Sequence, residues 1–245
     1  MKLKHIITSI ALGAIVLFYV VSCAKPRQLF VQPRLETVTT AVVKDTSVAA
    51  FLEPYRDSLR AAMGKVIGYT PVNMERNRPE SILGNFMLDE TLKFALRKGY
   101  ADSTTPTISM MNHGGMRSPI RRGNITIGDV FGLMPFDNLI VVAKLPKSAL
   151  DQIVQYNRAT GGEPIAGFTI HNDEIRPLGF NAFGDTIEIV TTDYLFNGGD
   201  KMDFFSTAYS SFNTGVLLRD ALIEQVQLAD TVNVTIDQRI IFDNE

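Results

Sequence analysis

The sequence predicts an α/β (α+β) fold, a mixed β-sheet with flanking helices, on three observations. Apolar residues make up 45% and charged residues 20% of the 245, a balance that can bury a core and is unlike that of a disordered chain. Helical and two-residue periodicities alternate irregularly from residue 46 onward, as expected of helices packed on a mixed sheet. No internal repeat or low-complexity tract interrupts them. The length suits one large domain or two small ones, since domains usually run to roughly 100–200 residues.

The elements follow from spacing and punctuation. Val48, Phe51, Leu52, Tyr55 and Leu59 fall at helical spacing, and Pro54 within that run predicts a break or a restarted helix. A strand is predicted over 65–72. A helix is predicted over 81–97, with Gly84, Leu88, Thr91, Leu92 and Ala95 on one side and Gly99 as its C-cap. A short strand at 107–111 runs into a glycine-rich turn. Thr126 and Asp129 have the spacing of a capping box, which predicts a helical turn within 125–133. A buried strand follows at 139–145. The next helix is predicted at 148–156, with Ser148 and Asp151 again spaced for capping and Leu150, Ile153 and Val154 facing inward. Further strands are predicted over 164–171, 186–192 and 231–242, and a helix over 215–227.

Charge and composition remove several functional classes. A net charge of −2 offers no long-range attraction for a polyanion, so nucleic acid is not an expected partner. A single Cys can form neither an intramolecular disulfide nor a Cys-rich zinc site. Three His leave little for a two-metal hydrolase centre.

The first residues read as a targeting segment. Lys2 and Lys4 form a basic n-region, and residues 6–21 are a nearly continuous apolar run, short for a membrane span but long enough for a signal-peptide core. The run ends in Val20-Val21-Ser22-Cys23, which resembles the lipobox of bacterial lipoproteins. On this reading residues 1–22 are a lipoprotein signal peptide, Cys23 takes the lipid, residues 23–45 are a tether and 46–245 fold. A plain membrane anchor, or a secretory signal cut near Ala24, is the alternative; the placement of the sole Cys favours lipidation. The expected location is the bacterial cell envelope, as a periplasmic or outer-membrane lipoprotein held to the membrane by its lipid.

Three short segments carry residues that packing alone does not call for. Asn112-His113-Gly114-Gly115-Met116-Arg117 follows a predicted strand; its glycines allow a tight turn and close approach to a ligand, and Arg117 offers a fork of donors. The other reading is a glycine turn with a solvated Arg. Pro135-Phe136-Asp137-Asn138 precedes a buried strand, and its Phe either plugs the core or lines a site. The third segment, 191–200, holds Tyr194, a double Gly and Asp200, a ligand rim or simply a loop.

In this order the segments resemble the C-terminal domain of the 5′-nucleotidase family. The family pattern, roughly N-G-G-G-I-R, G-x-I-T, L-P-F-x-N and Y/F-L-x-N-G-G-D, is matched by residues 112–117, 123–126, 134–138 and 194–200, with Glu80 and Gly84-Asn85 matching upstream. The resemblance covers about residue 46 to the end. It implies that Phe136 and Tyr194 sandwich a nucleobase, that Asn112 and Asn138 touch the base edge, and that Asp200 accepts from ribose hydroxyls. It also implies that Arg117 reaches the sugar and phosphate side and that Gly167 lies near the base. The chain departs from the pattern at His113 and Lys201, where the family has Gly. Arg76 and Arg78 flank the place of a further phosphate-side arginine without occupying it. His171 lies on a predicted strand and reads as structural.

The same resemblance separates recognition from chemistry. Family enzymes hydrolyse phosphate esters with two metal ions in a metallophosphatase domain, whose histidine-bearing motifs D-x-H and G-N-H-[DE] do not occur in these 245 residues. From Cys23 onward only His113 and His171 remain. The expectation is therefore a nucleoside- or nucleotide-recognition domain without a catalytic residue, metal ligand or cofactor of its own. It would act with a separate metallophosphatase polypeptide that carries the divalent metals. The alternative is a lipoprotein that binds nucleosides or nucleotides without hydrolysing them. For the leader, Cys23→Ala is expected to release a soluble or unprocessed form. Intact mass of the wild-type membrane fraction checks it, and an unmodified amino terminus elsewhere than Cys23 contradicts it.

Overall fold

The computed structural model describes residues 45–242; the leader, Cys23 and all but the last residue of the tether lie outside the described residues. The chain divides into two units, Met1–Ala49 and Ala50–Glu245, and only residues 45–49 of the first are described. α1 (Thr46–Met63) begins with Ser47 and Val48 donating their backbone N–H groups to the Asp45 carboxylate (2.9 and 3.2 Å). It runs unbroken through Pro54, contrary to the predicted break. None of its residues is buried, so water can satisfy the carbonyl that Pro54 leaves without a donor.

The centre of the second unit is a five-stranded sheet in the order β5-β2-β8-β4-β9. Its strands are β2 (Thr107–Met110), β4 (Leu139–Pro146), β5 (Ile165–Ala166), β8 (Thr186–Thr192) and β9 (Ser210–Leu217). β2 and β8 run parallel, while β4 is antiparallel to both β8 and β9. The three middle strands are buried almost throughout, which suits the continuous apolar run Leu139-Ile140-Val141-Val142-Ala143 of β4. α2 (Ile82–Arg97) packs on this sheet and against α6 (Leu218–Ala229). Its first turn is capped by Ser81, whose hydroxyl accepts from the Gly84 N–H (3.0 Å). Phe86, Met87, Leu88 and Phe94 bury the rest of the helix. Two smaller sheets complete the fold of the described residues. β1 (Val66–Thr70) pairs with β3 (Gly123–Thr126), and β10 (Ile240–Ile241), β6 (Phe168–His171) and β7 (Glu174–Pro177) form the other. The mixed α/β architecture is the one that the sequence predicts.

Several elements differ from their sequence reading. α3 (Ile127–Leu133) carries the full capping box, Thr126 and Asp129 each bonding the other's backbone N–H. α4 (Ala149–Thr160) has no such cap, because Ser148 is itself in the helical region (φ −60°, ψ −16°) and its hydroxyl makes no cap hydrogen bond. The strand predicted at 164–171 is two strands in different sheets, parted at Gly167. Residues 215–217 end β9 rather than begin a helix. Of the strand predicted at 231–242 only Ile240–Ile241 forms in the described residues, with a bridge from Tyr69 to Thr231. Side chains hold the stretch between. Asn85 donates to the Thr235 carbonyl (2.9 Å), and the Glu80 carboxylate accepts from the N–H groups of Asp237 and Arg239 (3.0 Å each). Glu80 and Asn85, which match the family pattern, thus fasten residues 235–239 to the start of α2 and the segment just before it.

Gly167 lets one strand serve two sheets. Its φ is +81°, and a Cβ there would lie 2.4 Å from the Thr107 carbonyl oxygen, a backbone atom of β2. A side chain would be both strained and in collision. Gly167→Ala is expected to destabilise the domain by about 2–4 kcal/mol, seen as a lower urea midpoint with an unchanged slope. Stability within about 0.5 kcal/mol of wild type would contradict that role.

Candidate functional site

Strand direction brings the three segments together. Residues 112–117 leave the C-terminal end of β2 and residues 193–200, which open with α5 (Asp193–Phe196), leave the C-terminal end of parallel β8, while 134–138 enter β4, which is antiparallel to β8 with Ile140 opposite Thr192. All three emerge at one end of the sheet. There they enclose a cavity of about 340 Å³ lined by Asn112, Gly114, Gly115, Arg117, Phe136, Asn138, Tyr194 and Asp200. Six of the seven ligand-contacting residues implied by the resemblance meet here; Gly167 does not. A larger groove, about 760 Å³, runs beside Glu75, Ile82, Ile236 and Ile240, but Glu80 there is already bound to backbone.

Each wall has its own support. The Glu163 carboxylate, buried and paired with Arg78 (2.9 Å), accepts from the His113 N–H and so fixes the turn that begins at Asn112. The Arg117 N–H donates to the Leu133 carbonyl (2.9 Å). One carboxylate oxygen of Asp193 accepts from both the Leu139 and Tyr194 N–H groups (3.0 and 2.8 Å), tying the Phe136 segment to the Tyr194 segment. Gly198 has φ +89°, and a Cβ on Gly199 would lie 2.5 Å from the Tyr194 ring. The double glycine therefore provides a left-handed turn and then room for the ring. Asp200 follows with φ +51°, a conformation that costs a residue with a Cβ roughly 1–2 kcal/mol.

Hydrogen bonds hold Asp200 in that conformation. Its carboxylate accepts from the Tyr194 hydroxyl (2.8 Å) and the Asn112 amide (2.6 Å), and its carbonyl accepts from the Tyr156 hydroxyl (2.8 Å). Each carboxylate oxygen keeps acceptor capacity for a further donor. The hydrogen bond to Asp200, and then its charge, push the Tyr194 phenol above its ordinary pKa. Arg117 sits 5.7 Å from the centroid of the Phe136 ring and reaches the Gly114 carbonyl only at 3.4 Å. No carboxylate pairs with it among the described residues. The two rings stay open to solvent, Phe136 at 39% and Tyr194 at 48% exposure. The cavity thus offers aromatic faces, two carboxamides, a carboxylate with spare acceptor capacity and a cation free of ion pairs. That set suits a planar heterocycle carrying hydroxyl and anionic groups.

The remaining sequence candidates are placed elsewhere. His113 does not line the cavity, and burial, with the charges of Arg78 and Arg76, lowers its pKa. His171 pairs with the Gln238 carbonyl (2.9 Å) on β6. Arg76 donates to the Met116 carbonyl (3.0 Å) behind the turn. Sequence reasoning missed Asp193, the contact of Gly199 with the ring, and Tyr156. Only the double glycine left a signal, since the other two act through backbone atoms of distant segments. Among the described residues, no group of three or more His, Cys, Asp or Glu could hold a metal ion. The lining of this cavity carries one carboxylate, that of Asp200, and neither His nor Cys.

Tyr156 makes a test of this support. Burial first, then the carboxylates of Glu163 and Asp200, push its phenol from 10 up to about 12. A folded-state pKa above the unfolded value leaves stability intact below about pH 10 and erodes it as pH rises through about 12. Tyr156→Phe is expected to flatten that alkaline decline in urea midpoints. An equally steep decline in the variant would contradict the assignment.

Known proteins share parts of this sequence and its fold. Residues 66–179 match the family described as "5'-nucleotidase, C-terminal domain". The chain is 29% identical over 217 residues to the trifunctional nucleotide phosphoesterase protein YfkN of Bacillus subtilis, covering 77% of this chain and 14% of that one. It is 25% identical over 238 residues to an apyrase of Anopheles gambiae, covering 84% of this chain and 40% of that one. The chain thus spans less than half the length of these relatives. In fold it is similar to a 5′-nucleotidase precursor from Thermus thermophilus, with a TM-score of 0.66 at 24% identity over 82% of this chain and 44% of that one. Residues 66–179 therefore carry the sequence pattern of the 5′-nucleotidase C-terminal domain, on a fold shared with a solved 5′-nucleotidase.

Proposed function

We propose that this domain recognises the nucleoside or nucleotide substrate of a 5′-nucleotidase-type phosphohydrolase in nucleotide catabolism. The observation that carries this reading is the single cavity shared by Phe136, Tyr194, Arg117 and Asp200. A base stacks on the two rings, which every base can do. Asn112 and Asn138 meet its edge, the free acceptor capacity of Asp200 takes ribose hydroxyls, and Arg117 meets the phosphate side. Arg117 and Asp200 orient a ligand; they do not activate water.

In this proposal hydrolysis belongs to a metallophosphatase polypeptide that carries the divalent metals and docks on this domain. Lipidation at Cys23 would hold the pair in the cell envelope. A second reading, a lipoprotein that binds nucleotides without taking part in their hydrolysis, rests on the same cavity. Mixing the chain with its metallophosphatase separates the two.

Titration calorimetry with adenosine, AMP and uridine nucleotides tests the pocket. Phe136→Ala and Tyr194→Ala should each weaken binding by roughly 1–3 kcal/mol, about one to two decades, on several bases alike. A wild-type protein that binds none of them at millimolar concentration contradicts the reading. Phosphate release from AMP is expected from the mixture and not from this chain alone, and it should fall in Phe136→Ala and Arg117→Ala. Metal-dependent turnover by this chain alone, abolished by changing its own carboxylates, would overturn the division of labour.

A further inference from the structure

Arg219 occupies an unfavourable place for a cation. It lies in the first turn of α6, whose N-terminal dipole repels positive charge, and its side chain is only 10% exposed. Its guanidinium lies 4.2 Å from the centroid of the Phe131 ring. Its Nε is buried with no hydrogen-bond partner, an arrangement that costs stability. The groups it does reach belong to one loop. Nη2 donates to the Asp137 carboxylate (2.8 Å) and Nη1 to the Phe136 carbonyl (3.4 Å). The preceding residue, Leu218, donates its N–H to the Asn138 carbonyl (2.9 Å). The ion pair is lopsided, for the Asp137 side chain is 82% exposed. A buried cation therefore grips a loop that stands in water. That loop needs a grip, because the exposed ring of Phe136 is not fixed by burial in the core.

We propose that Arg219 is a positioning residue for Phe136: by holding the Phe136–Asp137 backbone and carboxylate, it sets the ring at the cavity wall before any ligand arrives. Arg219 does not line the cavity, so it acts on a ligand only through the loop. The proposal deepens the reading of the pocket given above and rests on it for its effect on binding.

Two readouts keep the proposal separable from that reading. The chain has no Trp, so Phe136→Trp supplies a sole indole at the position concerned. In the free protein, adding Arg219→Met or Asp137→Ala should lower the fluorescence anisotropy of that indole, while far-ultraviolet circular dichroism stays unchanged. Asp137→Ala removes the same grip from an exposed partner, which guards against a folding defect. In the Phe136 protein, either change should weaken AMP binding by about tenfold, but by less than about twofold when Phe136→Ala is already present, as expected of residues acting as one unit. Unchanged anisotropy, or an equal loss of affinity with and without the Phe136 ring, overturns the proposal. Lowered anisotropy in a protein that binds no AMP supports the positioning role and overturns the pocket reading alone.

Discussion

The site depends on strand direction. β2 and β8 run side by side in the same sense and β4 runs against them, so the segments leaving the first two and entering the third come out at one end of the sheet. Residues up to 88 positions apart in sequence, Asn112 and Asp200, then lie within hydrogen-bond distance. The middle strands are buried on both faces, and their apolar packing sets the register at a place that tolerates little slip. Everything polar at the cavity is arranged on top of that register.

The polar layer is held by side chains that accept from backbone as much as by side-chain pairs. Asp193 joins two segments through two N–H groups, and Glu163 pins the glycine turn through one. Asp200, in a left-handed conformation, is fixed by Tyr194, Asn112 and Tyr156 together. Local strain of this kind persists only where the surroundings over-determine it. Its consequence here is a carboxylate and a ring already set in place, which on the proposed function reduces the ordering cost of recognition. Arg117 has no ion pair among the described residues, and on the proposed function its charge serves the phosphate side of the ligand.

What the sequence made legible was what apolar burial and local capping dictate. β8 is read at its observed limits because its run is buried from Ile187 to Thr192, and the Thr126/Asp129 box is a local exchange of hydrogen bonds. β9 was not legible. It is an edge strand, mostly exposed, and Ser, Asn, Thr and Gly there give no periodic signal. Gly167 looked like part of one strand because Ile165, Phe168 and Ile170 keep their apolar pattern while the backbone turns to another sheet. The 231–242 stretch has strand-like spacing, yet Glu80 and Asn85 take much of the backbone pairing that a sheet neighbour would have supplied. The cavity was legible as motifs, six of whose residues converge; of the groups that position them only the double glycine left a local signal, because Asp193, Glu163 and Tyr156 act on segments far away in sequence.

The most direct test is a crystal structure of the domain with AMP bound. The base should lie between Phe136 and Tyr194, with the ribose at Asp200 and the phosphate beside Arg117. AMP lodged elsewhere, for instance in the groove beside Ile236 and Ile240, with the cavity between the rings left empty, would contradict the assignment of this site.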